Sequence, residues 1–299
     1  MATQDAVEQK AAVIPRRGYL PRTKSARDLF GKIIAYTLLI SGSILVLIPV
    51  FWMVSSALKP NSQIFIFPPQ WIPNPIQWEN FVKAMTALPF GTYFQNTMII
   101  EVGTIVGTVL SCSVVAYGFA RLNAPGRNFW FIVLLSTMML PGVVTMIPVY
   151  LIFRQLGWVN TFLPLIVPNF FGSAFFIFLL RQFFMTIPRD FEEAARIDGA
   201  STWQILTRII LPLSKPALAT VTIFTFMGVW NDFMGPLIYL NKPETYTLAL
   251  GLNFFKGQYV SDWNMLMAAS LVMMLPLVLL FFVAQKAFIE GITLTGVKG

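Results

Sequence analysis

Residues Leu29–Val54 read LFGKIIAYTLLISGSILVLIPVFWMV, a run whose only charge is Lys32. About 20 apolar residues in helical form cross the ~30 Å hydrocarbon core of a bilayer, and this run is longer than that. It also exceeds the apolar core of a secretory signal and is followed by no clean small-residue cleavage site, so it reads as a retained anchor. Five further runs repeat the pattern: Tyr93–Phe119, Phe129–Phe153, Thr161–Phe184, Ala217–Tyr239 and Met265–Phe288. None alternates apolar with polar residues, and each is at least twice the ~10 residues of a spanning strand. The expected fold class is therefore all-α, a polytopic membrane bundle of six transmembrane helices.

Composition agrees. Of 299 residues, 56% are hydrophobic, 15% aromatic and only 11% charged, against about 25% charged in soluble domains. The formal net charge of +8 points to lipid-facing loops rather than nucleic acid, because the basic residues flank apolar runs. With the N-terminus inside, only Lys59, Lys83, Arg154, Lys242 and Lys256 of the 21 basic residues fall outside. That bias places both termini in the cytoplasm of a cell-membrane protein. The expected organisation is a cytoplasmic tail over 1–28, a membrane domain over 29–288 with an outer loop at 55–92, and a cytoplasmic tail over 289–299.

The chain has no histidine, which excludes Ser-His-Asp hydrolysis and His-ligated zinc. Cys112 lies alone in an apolar run and reads as small filler. No Walker A or dinucleotide-binding glycine pattern is present. No catalytic residue, metal site or cofactor is expected, and ATP chemistry has to come from a partner.

Several features have two readings. The outer segment Ser55–Thr92, with Pro60, Pro68, Pro69, Pro73, Pro75, Trp71 and Trp78, is a stiff cap over the bundle or a docking surface for a soluble partner. Gly103, Gly107 and Ser111, four residues apart, permit close helix packing. Pro141, Pro148, Pro164 and Pro168 read as kinks in the third and fourth spans, with broken pathway-lining helices as the other reading. Glu101, Trp230, Asn231 and Asp232 are candidates for lining a pathway, since polar groups at membrane depth are costly. Helix-to-helix bonding is the alternative for the polar members.

The segment 186–212 differs from the rest: TIPRDFEEAARIDGASTWQILTRIILP. Pro188 suits a helix start, and Asp190, Glu192 and Glu193 set negative charge against its dipole. Gly199 suits a left-handed stop. Ser201 and Gln204 form a capping-box pair opening a second helix with the apolar stripe Ile205, Leu206, Ile209 and Ile210. Pro212 and Pro216 are expected to end it. Two capped helices projecting from the membrane's inner face make a docking knob, with Ala194 and Ala195 small enough for close approach.

Glu193-Ala194-Ala195, three residues, Gly199, nine residues, then Ile209-x-Leu211-Pro212 resembles the EAA loop of membrane subunits of bacterial ATP-binding-cassette importers. Asp198-Gly199-Ala200, Ala120-Arg121 through Pro125-Gly126-Arg127, Trp230-Asn231-Asp232-Phe233 and the terminal Gly296-Val297-Lys298-Gly299 resemble the MalG-like carbohydrate branch. The likeness runs from about Leu29 to the end. It implies a MetI-like permease fold in a bacterial inner membrane and an ATPase-coupling surface formed by Glu192, Glu193, Ala194, Ala195, Asp198, Gly199, Ala200, Ile209, Leu211 and Pro212. It further implies four partners: a second, homologous permease, a cytosolic ATPase dimer, an extracellular solute-binding protein and a sugar. Glycerol-phosphate or polyol cargo is the alternative within the class. An ion-coupled carrier needs mid-membrane charges or inverted repeats that this sequence does not display, and a non-transporting scaffold is the rival from another class.

Overall fold

The computed structural model describes residues 26–256 and 262–296. The expected tail up to residue 25, and Val297-Lys298-Gly299 of the terminal motif, lie outside the described residues. Residues 1–51 and 52–299 form two compact units. The described part of the first is the start of helix α1 (Ala26–Ala57), whose side chains from Leu29 to Leu47 are exposed, as a helix made for lipid requires.

In the second unit, α2 (Glu79–Ala87) lies in the outer segment and α3 (Phe90–Arg121) is a single long helix. Among the described residues, four helices are long and apolar enough to cross a membrane, and two bent pairs raise this to six if each pair is one span. The four are Leu29–Ala57, Phe90–Arg121, Leu163–Thr186 and Trp263–Gln285.

The prolines do more than kink. The expected third span is two helices, α4 (Arg127–Ser136) and α5 (Gly142–Gln155), with a 97° bend between them. Pro141 pushes Leu140 into extended backbone, with ψ 118°, and the helix has to stop. Pro148 instead sits within α5, which continues through it. The fourth span starts as α6 (Leu163–Ile166), tightens into a 3₁₀ turn over Val167–Phe171, and resumes as α7 (Ala174–Thr186) after Gly172.

Further on, α8 (Asp190–Ile197), α9 (Thr202–Ile205) and α10 (Leu211–Leu213) make the polar segment. Then come α11 (Lys215–Trp230), α12 (Met234–Tyr239) and α13 (Leu248–Leu252). The last helix, α14 (Trp263–Gly296), replaces the first part of the tail expected from residue 289.

Two hydrophobic cores hold the second unit. One joins Cys112, Ala116 and Tyr117 of α3 to Ile177, Leu180 and Phe184 of α7 and to Ile205, Leu206 and Ile210. The other joins Ala84, Phe90, Tyr93, Trp230, Leu248 and Ala268. The small-residue stripe packs as read: a methyl group on Gly103 would meet Ile166 at 2.9 Å and one on Gly107 would meet Phe170 at 2.6 Å. Ser111 donates to the Asn169 carbonyl at 2.9 Å. In the outer segment Lys59 is fully buried, donates to the Gln70 carbonyl and lies 4.3 Å from the Trp52 ring centre. Burial pushes its ammonium pKa down. That lysine pins the start of the segment, while most side chains over 65–78 are exposed, Phe67 at 94% and Ile72 at 78%.

Gly107→Leu is expected to overpack the α3 contact at a cost of about 1–3 kcal/mol, whereas Gly118→Ala, with nothing within 4 Å, is expected to gain about 0.5–1 kcal/mol by removing a helical glycine. Thermal unfolding in detergent, followed by tryptophan fluorescence, distinguishes the two.

Candidate functional site

Helix α8 starts two residues after Pro188, with Arg189 as its N-cap. Its first turn closes through bonds from Glu192 and Glu193 amides to the Arg189 carbonyl at 2.8 and 3.0 Å, and its first turn carries Asp190, Glu192 and Glu193. At the other end, the Gly199 amide donates to Arg196 at 3.0 Å and the Ala200 amide to Ala195 at 2.9 Å, a Schellman closure. Gly199 has φ +81°, as the left-handed stop demands. Ser201 and Gln204 then form both bonds of a capping box, at 3.3 and 2.8 Å.

The second helix does not end at Pro212. A π turn over Leu206–Ile210 carries the chain into α10, which contains Pro212. The break falls at Ser214, beyond which α11 leaves at 79°. Widening to i→i+5 bonds just before a proline is a way to pass a residue that has no amide hydrogen.

Burial divides the motif in two. Glu193, Ala194, Asp198, Gly199 and Pro212 are exposed, and Ala195, Ala200, Ile209 and Leu211 are half-buried. Ala195, Asp198, Gly199, Ala200 and Ile209, with Gln204 and Arg208, line one open groove of about 310 Å³ between α8 and the second helix. Three bare apolar side chains surround it: Phe191 at 51%, Ile197 at 87% and Trp203 at 63% exposure. Such side chains on an otherwise polar projection mark a contact surface. Sequence reasoning passed over these three; their signal is that Ile197 and Trp203 stand off the apolar stripe of either helix.

Glu192 does not belong to that surface. It is 6% exposed, and its Oε1 pairs with Nε of Arg121 at 3.0 Å. Its expected place on a partner-facing surface is corrected accordingly: the carboxylate points into the chain.

The pathway candidates are scattered. Glu101 is 2% exposed, and neither of its carboxylate oxygens has a hydrogen-bond partner. It lies inside this chain rather than on a face open to another. Trp230 is equally buried, with its indole donating to the Met273 carbonyl at 3.1 Å, and it lines a cavity of about 340 Å³ with Phe90, Phe94 and Leu248. Asn231 and Asp232 occupy the gap between α11 and α12. Asn231 is exposed, and Asp232 accepts from the Gly235 amide at 3.0 Å. Among the described residues no group of three His, Cys, Asp or Glu could hold a metal ion.

An apolar bundle with broken spans and a capped, partner-seeking knob has the form of a transport permease operated by another protein. The chain belongs to the family of binding-protein-dependent transport system inner membrane components, which matches residues 103–293. It is accordingly a transport subunit of an inner membrane, not itself an enzyme.

It is 36% identical over 256 residues to the probable ABC transporter permease YurM of Bacillus subtilis, covering 84% of this chain and 83% of that one. It is 31% identical to the diacetylchitobiose uptake permease DasC of Streptomyces coelicolor, covering 91% and 99%. A chain from the crystal structure of a bacterial ABC transporter that imports the acidic polysaccharide alginate superposes with a TM-score of 0.77 at 25% identity, covering 88% of this chain and 98% of that one.

Gly199→Ala has open space around its new methyl group, so its cost is conformational only, about 1 kcal/mol. Ser201→Ala is expected to cost a similar ~1 kcal/mol through the lost cap. Hydrogen exchange at residues 202–205 checks the latter: protection should fall about five-fold.

Proposed function

We propose that this chain is one of two homologous permeases lining a sugar or oligosaccharide pathway, with its α8–α10 knob held by a cytosolic ATPase dimer. An extracellular binding protein delivers the cargo, and both termini of the chain lie in the cytoplasm. The observation that carries the coupling role is the collection of the motif residues Ala195, Asp198, Gly199, Ala200 and Ile209 in one open groove flanked by exposed Ile197 and Trp203. The sugar assignment is supported by the diacetylchitobiose and alginate systems to which the chain is similar. The basic residues concentrated on one side support the orientation.

In this reading ATP binding favours one global state because the closed ATPase dimer grips the knobs differently from the open dimer. The permease pair then exchanges inward for outward opening by population shift. Asn231 and Asp232, in the gap between α11 and α12, face the pathway and offer hydroxyl-binding groups. Glu101 and Trp230 are buried within the chain, and the cavity that Trp230 lines with Phe94 and Met273 supports its place beside the pathway.

Copurification of the chain with its partners, followed by a sugar screen for ATPase stimulation, tests partner and cargo together; loss of every stimulation with all subunits present contradicts the proposal. Gly199→Trp is expected to leave membrane insertion intact and abolish copurification of the ATPase. Glu193→Lys, on the exposed face, is expected to lower substrate-stimulated ATP hydrolysis about five-fold or more, measured in the reconstituted complex.

A further inference from the structure

Helix α8 gives the groove Ala195 and carries the exposed Glu193, yet Glu192 is its only buried residue. Ala195, half-buried, is the one apolar side chain of α8 packed against the neighbouring core. The second helix is different, with Ile205, Leu206 and Ile210 fully inside that core. The contacts of α8 with the rest of the chain therefore include one buried charge, Glu192, beside the packing of Ala195.

Glu192 pairs with Arg121, the last residue of α3, and the Tyr117 hydroxyl of the same helix faces both Glu192 and Arg196 of α8. The Arg121 guanidinium also donates through Nη2 to the carbonyls of Phe184 and Ile187, both at 2.5 Å. These carbonyls belong to the C-terminal end of α7. The guanidinium thus stands where the C-termini of α3 and α7 meet the N-terminus of α8, with a cation at two negative dipole ends and a carboxylate at a positive one. The two side chains are 3% and 8% exposed. A buried ion pair adds little net stability over apolar packing; what it supplies here, with the two directed carbonyl bonds of Arg121, is a fixed place for the carboxylate.

The other end of α3 is tied just as specifically. The Asn96 amide donates to the carbonyls of Glu244 and Tyr246 at 2.8 and 2.9 Å, and Thr97 Oγ1 accepts from the Leu248 amide at 3.0 Å. A helix of 32 residues is a rod about 48 Å long, pinned to the knob at one end and to residues 244–248 at the other.

Resting on the coupling role proposed above, we infer that Arg121 and Glu192 are positioning residues. They clamp the partner-facing helix α8 to α3 and α7, so that displacement of α8 becomes displacement of α3. Neither side chain touches cargo or nucleotide. The clamp converts ATPase motion into movement of the permease.

The test uses the complete transporter, with its binding protein and cargo, in proteoliposomes and with Cys112→Ser as background. Copurification, ATP hydrolysis and cargo imported per ATP are measured together. Glu192→Gln is expected to assemble and hydrolyse ATP while cargo per ATP falls about five-fold or more. Arg121→Lys, whose single ammonium cannot reproduce the guanidinium fork, should fall between that variant and wild type. Arg121→Cys/Glu192→Cys should be uncoupled until bridged by a short cleavable thiol cross-linker, should then regain the wild-type ratio, and should lose it again on cleavage. Wild-type cargo per ATP in Glu192→Gln and in the unbridged double variant overturns the inference. Failure of all the variants to assemble also overturns it, because the pair is then a folding element. If instead the unmodified transporter shows no ATPase partner or no coupling, it is the functional proposal that fails.

Discussion

Lipid offers no hydrogen bonds, so each backbone amide and carbonyl at membrane depth has to be satisfied inside the chain. Unbroken α3 meets this demand by itself. The fourth span, interrupted at Val167–Phe171, does not, and α3 supplies the difference. Thr104 donates to the Leu165 carbonyl at 3.2 Å and Ser111 to the Asn169 carbonyl at 2.9 Å. Asn169 returns to Leu165 at 2.9 Å through its own amide. Gly103 and Gly107 bring the two backbones close enough for these bonds to form. Irregular backbone is tolerated here because a straight neighbour with small and hydroxyl side chains completes it.

The same helix dominates the other end of the molecule. Its inner half shares a core with α7 and the second helix of the polar segment, so the knob is continuous with the membrane bundle and not a loosely tethered loop. Within the knob the second helix is rooted in that core, while α8 is presented outward on a Schellman turn, with Glu192 paired to Arg121 and Ala195 against the core. A rooted helix beside a presented one gives a rigid base with an exposed contact face, which suits a part gripped from outside.

Much of this was legible in the sequence because the signals are local. Apolar run lengths gave the helices, and the Gly199 stop and the Ser201–Gln204 capping box depend only on residues a few positions apart. What was not legible depends on distant partners. Nothing within 186–212 says that Glu192 turns inward while Glu193 turns out; the reason is Arg121, some seventy positions earlier. Trp230 and Glu101 stand out in the sequence because polar or amphipathic groups at depth are rare, but their burial in this chain depends on distant partners such as the Met273 carbonyl. Pro212 was misplaced as a stop because the π turn before it is invisible to propensity, and the 97° bend at Pro141 exceeds the kink its residues advertise.

The central claim is that the segment α8–α10 is a handle gripped by a separate cytosolic ATPase. Cryo-EM of the intact transporter in lipid nanodiscs tests this most directly. The account predicts density of the ATPase closed around Ile197, Gly199 and Trp203, on the same side of the lipid as the N-terminus. A map with that segment bare, or lying on the opposite face of the membrane, contradicts it.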